Sequence, residues 1–255
     1  MSLIALLVLC FGAVSAVPTS SNRIVGGSFA DITSYPSLVA LIQNFPDNRW
    51  RHSCGGVIMN NRAILTAAHC VVGESPFRWR VRAGSSWEHG WNSETYYVSR
   101  ITTHFSFGNG GHAYNNDIAV LRVNSNIEFN PYIFPAAIAG SMYNLPDNAE
   151  VWTAGWGATS FEGPVSTSLR HVQVWTINQS RCNTRYDGSL TANMLCAGWL
   201  DVGGRDACTN DNGGPLYHKG VVVGIVSFRY SCGDPQYPGV YTRVSSYTSW
   251  IQNNA

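Results

Sequence analysis

The sequence predicts an all-β fold, a barrel or a sandwich, that ends in a C-terminal helix. Three observations support this prediction: short runs rich in Val, Ile and aromatic residues recur, clusters of Gly, Pro, Asn and Asp separate them, and helical periodicity is weak until the chain's end. The predicted strands are Ser37–Gln43, Gly55–Ile58, Trp79–Ala83, Thr95–Ile101, Ile118–Val123, Val151–Gly155, Leu169–Val174, Val221–Phe228 and Gly239–Val244. The length of 255 residues suits one β-rich unit.

Two helices are predicted. Tyr247, Trp250 and Ile251 place apolar side chains at i, i+3 and i+4, on one face of a closing helix. Asn178-Gln179-Ser180 has two interpretations: Asn178 is the N-cap of a short helix, or it is a glycosylation acceptor in a secreted chain. The cap is the preferred interpretation.

Composition excludes several classes of protein. Charged residues make up 12% of the chain and hydrophobic residues 45%, which argues against disorder. The net charge of +1 gives no strong field for binding nucleic acid. Beyond the N-terminus, no apolar run approaches the roughly 18 residues of a membrane span.

Lys219 is the single lysine among 16 basic residues. An alkaline surrounding, or one rich in lysine-cleaving proteases, favours this bias, because arginine keeps its charge where lysine begins to lose it. Lineage composition is the other explanation.

The N-terminus predicts secretion. Residues 1–16 form an apolar run ending in small residues, Val14-Ser15-Ala16, as a signal peptide does. Removing this segment also removes Cys10 and leaves six cysteines, an even number that predicts three disulfides in an oxidising, extracellular setting. Residues 17–23 then form a short polar stretch that ends at Arg23.

Four ordered motifs resemble those of the trypsin/chymotrypsin family of serine proteases. They are Arg23-Ile24-Val25-Gly26-Gly27, Thr66-Ala67-Ala68-His69-Cys70, Asn116-Asp117-Ile118-Ala119-Val120-Leu121 and the Gly-rich loop Asp206-Ala207-Cys208-Thr209-Asn210-Asp211-Asn212-Gly213-Gly214-Pro215-Leu216. Each motif alone is weak, but the set, in order from Ile24 to Ala255, is specific. The resemblance implies two packed six-stranded antiparallel β-barrels, with the active site in the cleft between them and a C-terminal α-helix.

The resemblance places His69 as the general base and Asp117 as the carboxylate that orients it. Such a histidine takes a proton from a hydroxyl nucleophile, and the buried aspartate fixes its tautomer. His52, His104 and His112 have no such context and are expected to be ordinary loop or surface residues.

The family's nucleophile motif is Gly-Asp-Ser-Gly-Gly-Pro, whereas this chain has Asn210-Asp211-Asn212-Gly213-Gly214-Pro215. Asn212 therefore stands in the serine position, and a carboxamide forms no acyl-enzyme. Asn210 replaces the glycine whose backbone N–H, together with that of residue 212, forms the oxyanion hole. These two departures predict a chain without peptidase activity.

The resemblance also locates a specificity pocket. Asp206 holds the position of the carboxylate that binds Arg or Lys of a substrate, and Gly239 keeps one wall open. Ser227, Phe228 and Arg229 form the other wall, with Arg229 where trypsins carry glycine. Two readings of Arg229 stay open: it pairs with Asp206 in place of a substrate, or it points to solvent.

Activation and cross-linking follow from the same resemblance. Cleavage after Arg23 frees the Ile24 amine, which is expected to pair with Asp211, so that residues 17–23 are a propeptide and 24–255 the protease domain. The implied disulfides are Cys54–Cys70, Cys182–Cys196 and Cys208–Cys232. The segment 84–88 lacks the first carboxylate of the family's calcium loop, and we expect no metal and no cofactor.

The functional prediction is a secreted, extracellular protease homologue without peptidase activity that acts as a cascade cofactor or as a decoy for inhibitors or substrates. Its expected partners are extracellular proteins (proteases, protease inhibitors or protein substrates), with no nucleic acid and no membrane, and the chain is expected to be a monomer. One alternative is an active endopeptidase that cleaves after Arg or Lys with a substitute nucleophile, for which Thr209 and Ser227 are the nearby hydroxyls. Another is a secreted structural or storage protein.

Overall fold

The computed structural model describes residues 25–90 and 92–255. The predicted signal peptide and propeptide, residues 1–16 and 17–23, lie outside them. The strands are β1 (Ser28–Phe29), β2 (Leu38–Asn44), β3 (Trp50–Ile58), β4 (Ala63–Thr66), β5 (Trp79–Ala83), β6 (Glu94–Thr103), β7 (Ala119–Val123), β8 (Ala137–Ile138), β9 (Glu150–Gly155), β10 (Arg170–Ile177), β11 (Met194–Gly198), β12 (Pro215–His218), β13 (Val221–Phe228) and β14 (Gly239–Arg243). The α-helices are α1 (Ala68–Val71), α2 (Gln179–Arg185) and α3 (Thr248–Asn254).

The strands close into two six-stranded antiparallel barrels. The first barrel has the strand order β2-β3-β4-β7-β6-β5. The second runs β9-β10-β11-β14-β13-β12, and pairing of β12 with β9 closes it. The short strands β1 and β8 join β10 and β13 from outside. The two-barrel fold implied by the motifs is confirmed.

Strand β2 lies at the junction of the barrels, and both of its faces are covered. Leu38, Ala40 and Ile42 belong to a core that continues into the second barrel, whereas Val39 and Leu41 pack inside the first barrel. Successive side chains of a strand point to opposite faces, so one strand serves both cores. This shared packing holds the first barrel against the second and fixes the walls of the cleft.

The predicted elements are all present, and the structure adds others. Each of the nine predicted runs overlaps a strand, and both predicted helices form, as α2 and α3. The side-chain oxygen of Asn178 accepts hydrogen bonds from the backbone N–H of Ser180 and Arg181 at 3.1 and 3.2 Å, so the predicted N-cap is confirmed. Glycosylation of Asn178 stays a prediction.

Five short strands and helix α1 were not predicted from the sequence. β4, β11 and β12 hold four or five residues each, and β1 and β8 only two, too few for a clear alternation of apolar and polar side chains. In the described ranges, no helix has both the length and the apolar character needed to cross a membrane.

Candidate active site

A hydrogen-bonded pair, His69 and Asp117, lies at the centre of the cleft. His69 is in α1, directly after β4, and Asp117 comes just before β7. His69 Nδ1 lies 2.7 Å from Asp117 Oδ2, and the His69 backbone N–H donates to Asp117 Oδ1 at 2.8 Å. Since an ionised carboxylate only accepts hydrogen bonds, Nδ1 carries the hydrogen and the lone pair of Nε2 is left to take a proton.

The second barrel holds Asp117 in place. The Ser227 hydroxyl donates to Asp117 Oδ2 at 2.6 Å, and the Thr242 hydroxyl donates to the Asp117 backbone carbonyl at 2.6 Å. The Asp117 side chain is fully buried. A buried carboxylate must be well bonded to be tolerated, so these contacts fix its position and, through it, the orientation of the His69 ring.

The Nε2 side of His69 faces the open cleft. The His69 side chain is 19% exposed, and Nε2 lies 3.8 Å from the disulfide sulfur of Cys70, a contact with no hydrogen on either atom. Tyr114 presents its ring edge-on to His69 at 5.5 Å between centroids. Tyr114 and His112 both stack on Phe228, at 5.0 and 4.7 Å. These three rings form an aromatic wall beside the base.

The loop that carries Asn210 and Asn212 keeps an open backbone. Asn210 has a φ of +72°, in the left-handed region that Asn tolerates better than most residues with a side chain. Its side-chain amide donates to the His52 carbonyl at 3.1 Å, and Gly55 N–H donates to the Asn212 carbonyl at 2.7 Å. No acceptor within the described residues is paired with the backbone N–H of Asn210 or Asn212. Two N–H donors are therefore available to a ligand oxygen.

The Asn212 side chain carries no hydroxyl, and its Oδ1 is buried without a hydrogen-bond partner in the described ranges. The two hydroxyls considered as substitute nucleophiles are placed elsewhere. The Ser227 hydroxyl donates a hydrogen bond to Asp117, and Thr209 is exposed. In the described residues, the position that the sequence predicts for the nucleophile therefore carries no hydroxyl, and the nearby Ser227 hydroxyl is engaged by Asp117.

Asp211 is buried beneath the same loop. Its Oδ1 accepts from the Gly157 N–H at 2.8 Å and its Oδ2 from the Cys208 N–H at 2.9 Å. Burial raises the pKa of Asp211 to about 6, although these two hydrogen bonds act in the opposite direction. Ile24 lies outside the described residues, and its pairing with Asp211 stays a prediction. Val25 is already close to the pocket, because its carbonyl accepts from the Asp206 N–H at 3.3 Å.

The raised pKa of Asp211 predicts a pH-dependent stability in the uncut chain. A carboxyl with a pKa of about 6 when folded and near its ordinary 3.8 when unfolded stabilises the fold below pH 4, and this contribution is lost as the pH rises through 6. Its full size is about 3 kcal/mol. In a chain kept uncut by Arg23→Gln, urea unfolding at pH 4 and pH 7 should show a loss that Asp211→Asn reduces. The surface variant Asp201→Asn is the control, and an equal pH slope with and without Asp211 would contradict the prediction.

Asp206 and Arg229 meet in the predicted specificity pocket. Arg229 Nε lies 3.8 Å from Asp206 Oδ2, with side-chain exposures of 8% and 2%. Asp206 Oδ2 also accepts from the Gly233 N–H at 3.3 Å. A Cβ at Gly239 would come within 2.7 Å of Asp206 Oδ1, so a residue with a side chain does not fit there without a shift of its neighbours. Of the two interpretations of Arg229, the structure shows the one in which its side chain points toward Asp206 and not toward solvent.

The three disulfides form as the resemblance implied, between Cys54 and Cys70, Cys182 and Cys196, and Cys208 and Cys232. The first anchors α1, which carries His69, to β3. The third joins the loop of Asp206 to the segment that follows Arg229. Cys54, His69 and Cys70 also place possible ligand atoms within 4.8 Å of one another, but disulfide sulfurs are not the thiolates a metal site needs.

Comparison with known proteins gives the family. The Trypsin family model matches residues 24–251. The chain belongs to the trypsin family. It is 51% identical to "Trypsin, alkaline A" of Manduca sexta and 47% identical to "Trypsin CFT-1" of Choristoneura fumiferana, in each case over 99% of this chain and 98% of the relative. It is 46% identical to "Achelase-1" of Lonomia achelous, over 91% of this chain and all of the relative.

Membership of the trypsin family corrects one prediction. The expectation of a homologue without peptidase activity, acting as a cofactor or decoy, is wrong by this comparison, because relatives near 50% identity over almost the whole chain are named trypsins. That expectation weighed residues 210 and 212 alone. The base, its carboxylate and the left-handed backbone at Asn210 keep an arrangement suited to hydrolysis.

Sequence reasoning also misplaced His52. The expectation of a loop or surface residue is wrong, since His52 lies in β3, is 8% exposed and packs edge-on against Trp156. Its Nε2 bonds to the Cys54 carbonyl, and burial lowers the pKa of His52 to about 4. The aromatic wall was missed as well. Positions 112, 114 and 228 are far apart along the chain, and no spacing signal connects them.

Proposed function

We propose that this chain is a trypsin-like endopeptidase and that His69, oriented by Asp117, is its general base. The observation that carries the proposal is the 2.7 Å hydrogen bond from His69 Nδ1 to a fully buried carboxylate, with Nε2 turned to the cleft. A histidine held in this way accepts a proton from the attacking group and later returns it to the leaving amine.

Water is the nucleophile that the residues around His69 support. Water attacks the carbonyl carbon of the scissile peptide while its proton passes to His69 Nε2. The tetrahedral intermediate carries its negative charge on the former carbonyl oxygen, which the backbone N–H groups of Asn210 and Asn212 stabilise. When the carbon–nitrogen bond breaks, the imidazolium protonates the leaving amine. The products are a carboxylic acid and an amine, and no acyl-enzyme forms.

The ion pair between Asp117 and the imidazolium supplies the electrostatic part of this mechanism. Positive charge develops on His69 as water attacks, 2.7 Å from a carboxylate that also accepts the Ser227 hydroxyl. Without a serine nucleophile, hydrolysis is slow: a triad protease stripped of its nucleophile keeps about 10³–10⁴ over water. The proposed enzyme is thus a slow member of an otherwise fast family.

The test compares the natural chain with His69→Ala, both cut after Arg23 and purified alike. We expect the variant to hydrolyse arginyl and alanyl ester substrates about 10²-fold more slowly, the usual contribution of a general base. We expect no burst of product and no labelling by a fluorophosphonate, since neither an acyl-enzyme nor a reactive serine is involved. Equal rates for the two proteins would overturn the proposal.

We also propose that the chain is secreted, cut after Arg23 and active as a monomer on extracellular proteins. Residues 1–16 as a signal peptide, residues 17–23 as a propeptide and three disulfides support this. The excess of arginine over lysine fits an alkaline surrounding. Mass spectrometry of the secreted protein should find Ile24 at its N-terminus, and a mature chain that starts elsewhere would contradict the assigned cleavage.

A further inference from the structure

The base of the specificity pocket already holds a cation that belongs to the chain itself. Asp206 and Arg229 are both nearly buried, 2% and 8% exposed, and the guanidinium Nε lies 3.8 Å from the carboxylate Oδ2. Asp206 Oδ1 and Arg229 Nε have no hydrogen-bond partner within the described residues. The contact is therefore an ion pair that compensates charge without satisfying every polar atom.

An aromatic cluster lies beside this pair, and its buried member, Tyr186, is close enough to Asp206 and Arg229 to feel both charges. The ring of Tyr186 stacks on Tyr230 at 5.5 Å, and Tyr230 meets Tyr237 at 4.5 Å, edge to face. The Tyr186 hydroxyl donates to the Pro238 carbonyl at 2.6 Å, which ties this cluster to the start of β14. Gly239 is also next to Asp206, since a Cβ at this position would come within 2.7 Å of Asp206 Oδ1.

The charge of Arg229 disfavours a second cation beside Asp206. A lone buried carboxylate attracts one cation strongly, because a low-dielectric surrounding weakens the charge of neither partner. Once Arg229 supplies that cation, a lysine or arginine side chain of a substrate meets a neutral pair. The substrate cation loses its hydration on entry and gains little attraction in return.

We propose that Arg229 is the specificity-determining residue of this pocket: by pairing with Asp206 it excludes cationic side chains and favours uncharged ones. The statement about substrates rests on the proposed peptidase function. The statement about cation binding does not, because the pocket can bind an inhibitor whether or not the cleft hydrolyses a peptide.

The test measures binding of p-aminobenzamidine, a fluorescent aromatic cation, to the full chain cut after Arg23. Arg229→Gly should bind it about 100-fold more tightly than the natural chain, and Arg229→Gln, which keeps a polar but shorter and uncharged side chain, should also gain affinity. The double variant Arg229→Gly, Asp206→Asn should lose the gain, since the carboxylate is what the freed pocket offers. Arg205→Gly, which removes a nearby arginine that lies over the Trp199 ring, is the matched control and should leave affinity unchanged.

Tight binding by the natural chain, equal to that of Arg229→Gly, would overturn the proposal. A thermal shift by p-aminobenzamidine in Arg229→Gly, absent from the natural chain, tests the same point if the variant is poorly stable. Hydrolysis is assayed separately, on alanyl and arginyl esters with His69→Ala as the blank. If no turnover depends on His69, the proposed peptidase function is overturned but the cation-binding proposal is not. If the natural chain prefers arginyl esters, the role assigned to Arg229 is overturned.

Discussion

Asn212→Ser should raise the turnover of this chain by at least about 10³-fold and by as much as about 10⁶-fold, the range set by nucleophile removal in a triad protease. The substituted residue brings a hydroxyl to a backbone that is already fixed, because Gly55 donates to the carbonyl of residue 212 at 2.7 Å. His69, with Nε2 free to accept a proton, can then activate serine rather than water. Steady-state hydrolysis of an ester and labelling by a fluorophosphonate measure the effect.

Asn212→Ala is the matched control, since it removes the carboxamide without adding a hydroxyl and should stay near the rate of the natural chain. The double variant Asn212→Ser, His69→Ala should lose both the gain and the labelling. A serine variant no faster than the alanine variant would mean that the loop at residue 212 does not present its side chain to His69.

Asp117→Asn, placed in the Asn212→Ser background, should lower turnover by about 10⁴-fold. The carboxylate now accepts from His69 Nδ1 at 2.7 Å, and an amide in its place offers N–H where an acceptor is needed. The imidazole then places its hydrogen on Nε2, where it no longer takes a proton from the nucleophile. The rate should recover in part at high pH, where hydroxide can assist.

Asp201→Asn serves as the control for Asp117→Asn, because Asp201 is exposed and pairs with surface arginines. Thermal unfolding of each variant separates a catalytic loss from a folding defect. A fall of less than tenfold in a fully folded Asp117→Asn protein would mean that the tautomer of His69 is set by something other than Asp117.

Two of the strands that the sequence predicted have long apolar runs. Leu38–Asn44 and Val221–Phe228 are buried almost throughout, and their composition alone indicates strands. Strand β3 begins at Trp50, five residues before the predicted start, because Arg51, His52 and Ser53 look like loop residues. One of their polar groups, the His52 carbonyl, has a partner far away in the chain, the side-chain amide of Asn210.

The candidate site divides in the same way. His69 and Asp117 stand in local motifs, so their positions could be predicted from the sequence. From the sequence, the pairing of Arg229 with Asp206 was one of two possible interpretations, because the direction of a long side chain depends on the residues around it. Here Tyr186 lies near Arg229 and stacks on Tyr230, and no local pattern connects residue 186 with residue 230.

The error over activity has a physical cause too. Asn210 replaces a glycine, and a side chain at that position was expected to threaten the oxyanion donor. The structure keeps φ at +72°, and the Asn210 amide bonds to the His52 carbonyl, which helps to hold that conformation. Asn tolerates the left-handed region, so Asn210 can keep the backbone conformation of this loop. The replacement of glycine by Asn210 is therefore weaker evidence for a loss of activity than the sequence suggests.

Because of the Cys208–Cys232 disulfide, Arg229 acts as a ligand tethered beside Asp206. Asp206 lies two residues before one half-cystine and Arg229 three residues before the other, so the cross-link keeps cation and carboxylate near each other in every native conformation. Short tethers produce effective concentrations of about millimolar or more. A free cation must compete with Arg229 at this effective concentration. Its apparent affinity is therefore reduced to the intrinsic affinity multiplied by the fraction of molecules in which Arg229 leaves the carboxylate open. Reducing this one cross-link would therefore lower the effective concentration of Arg229 at the carboxylate and change what the pocket selects.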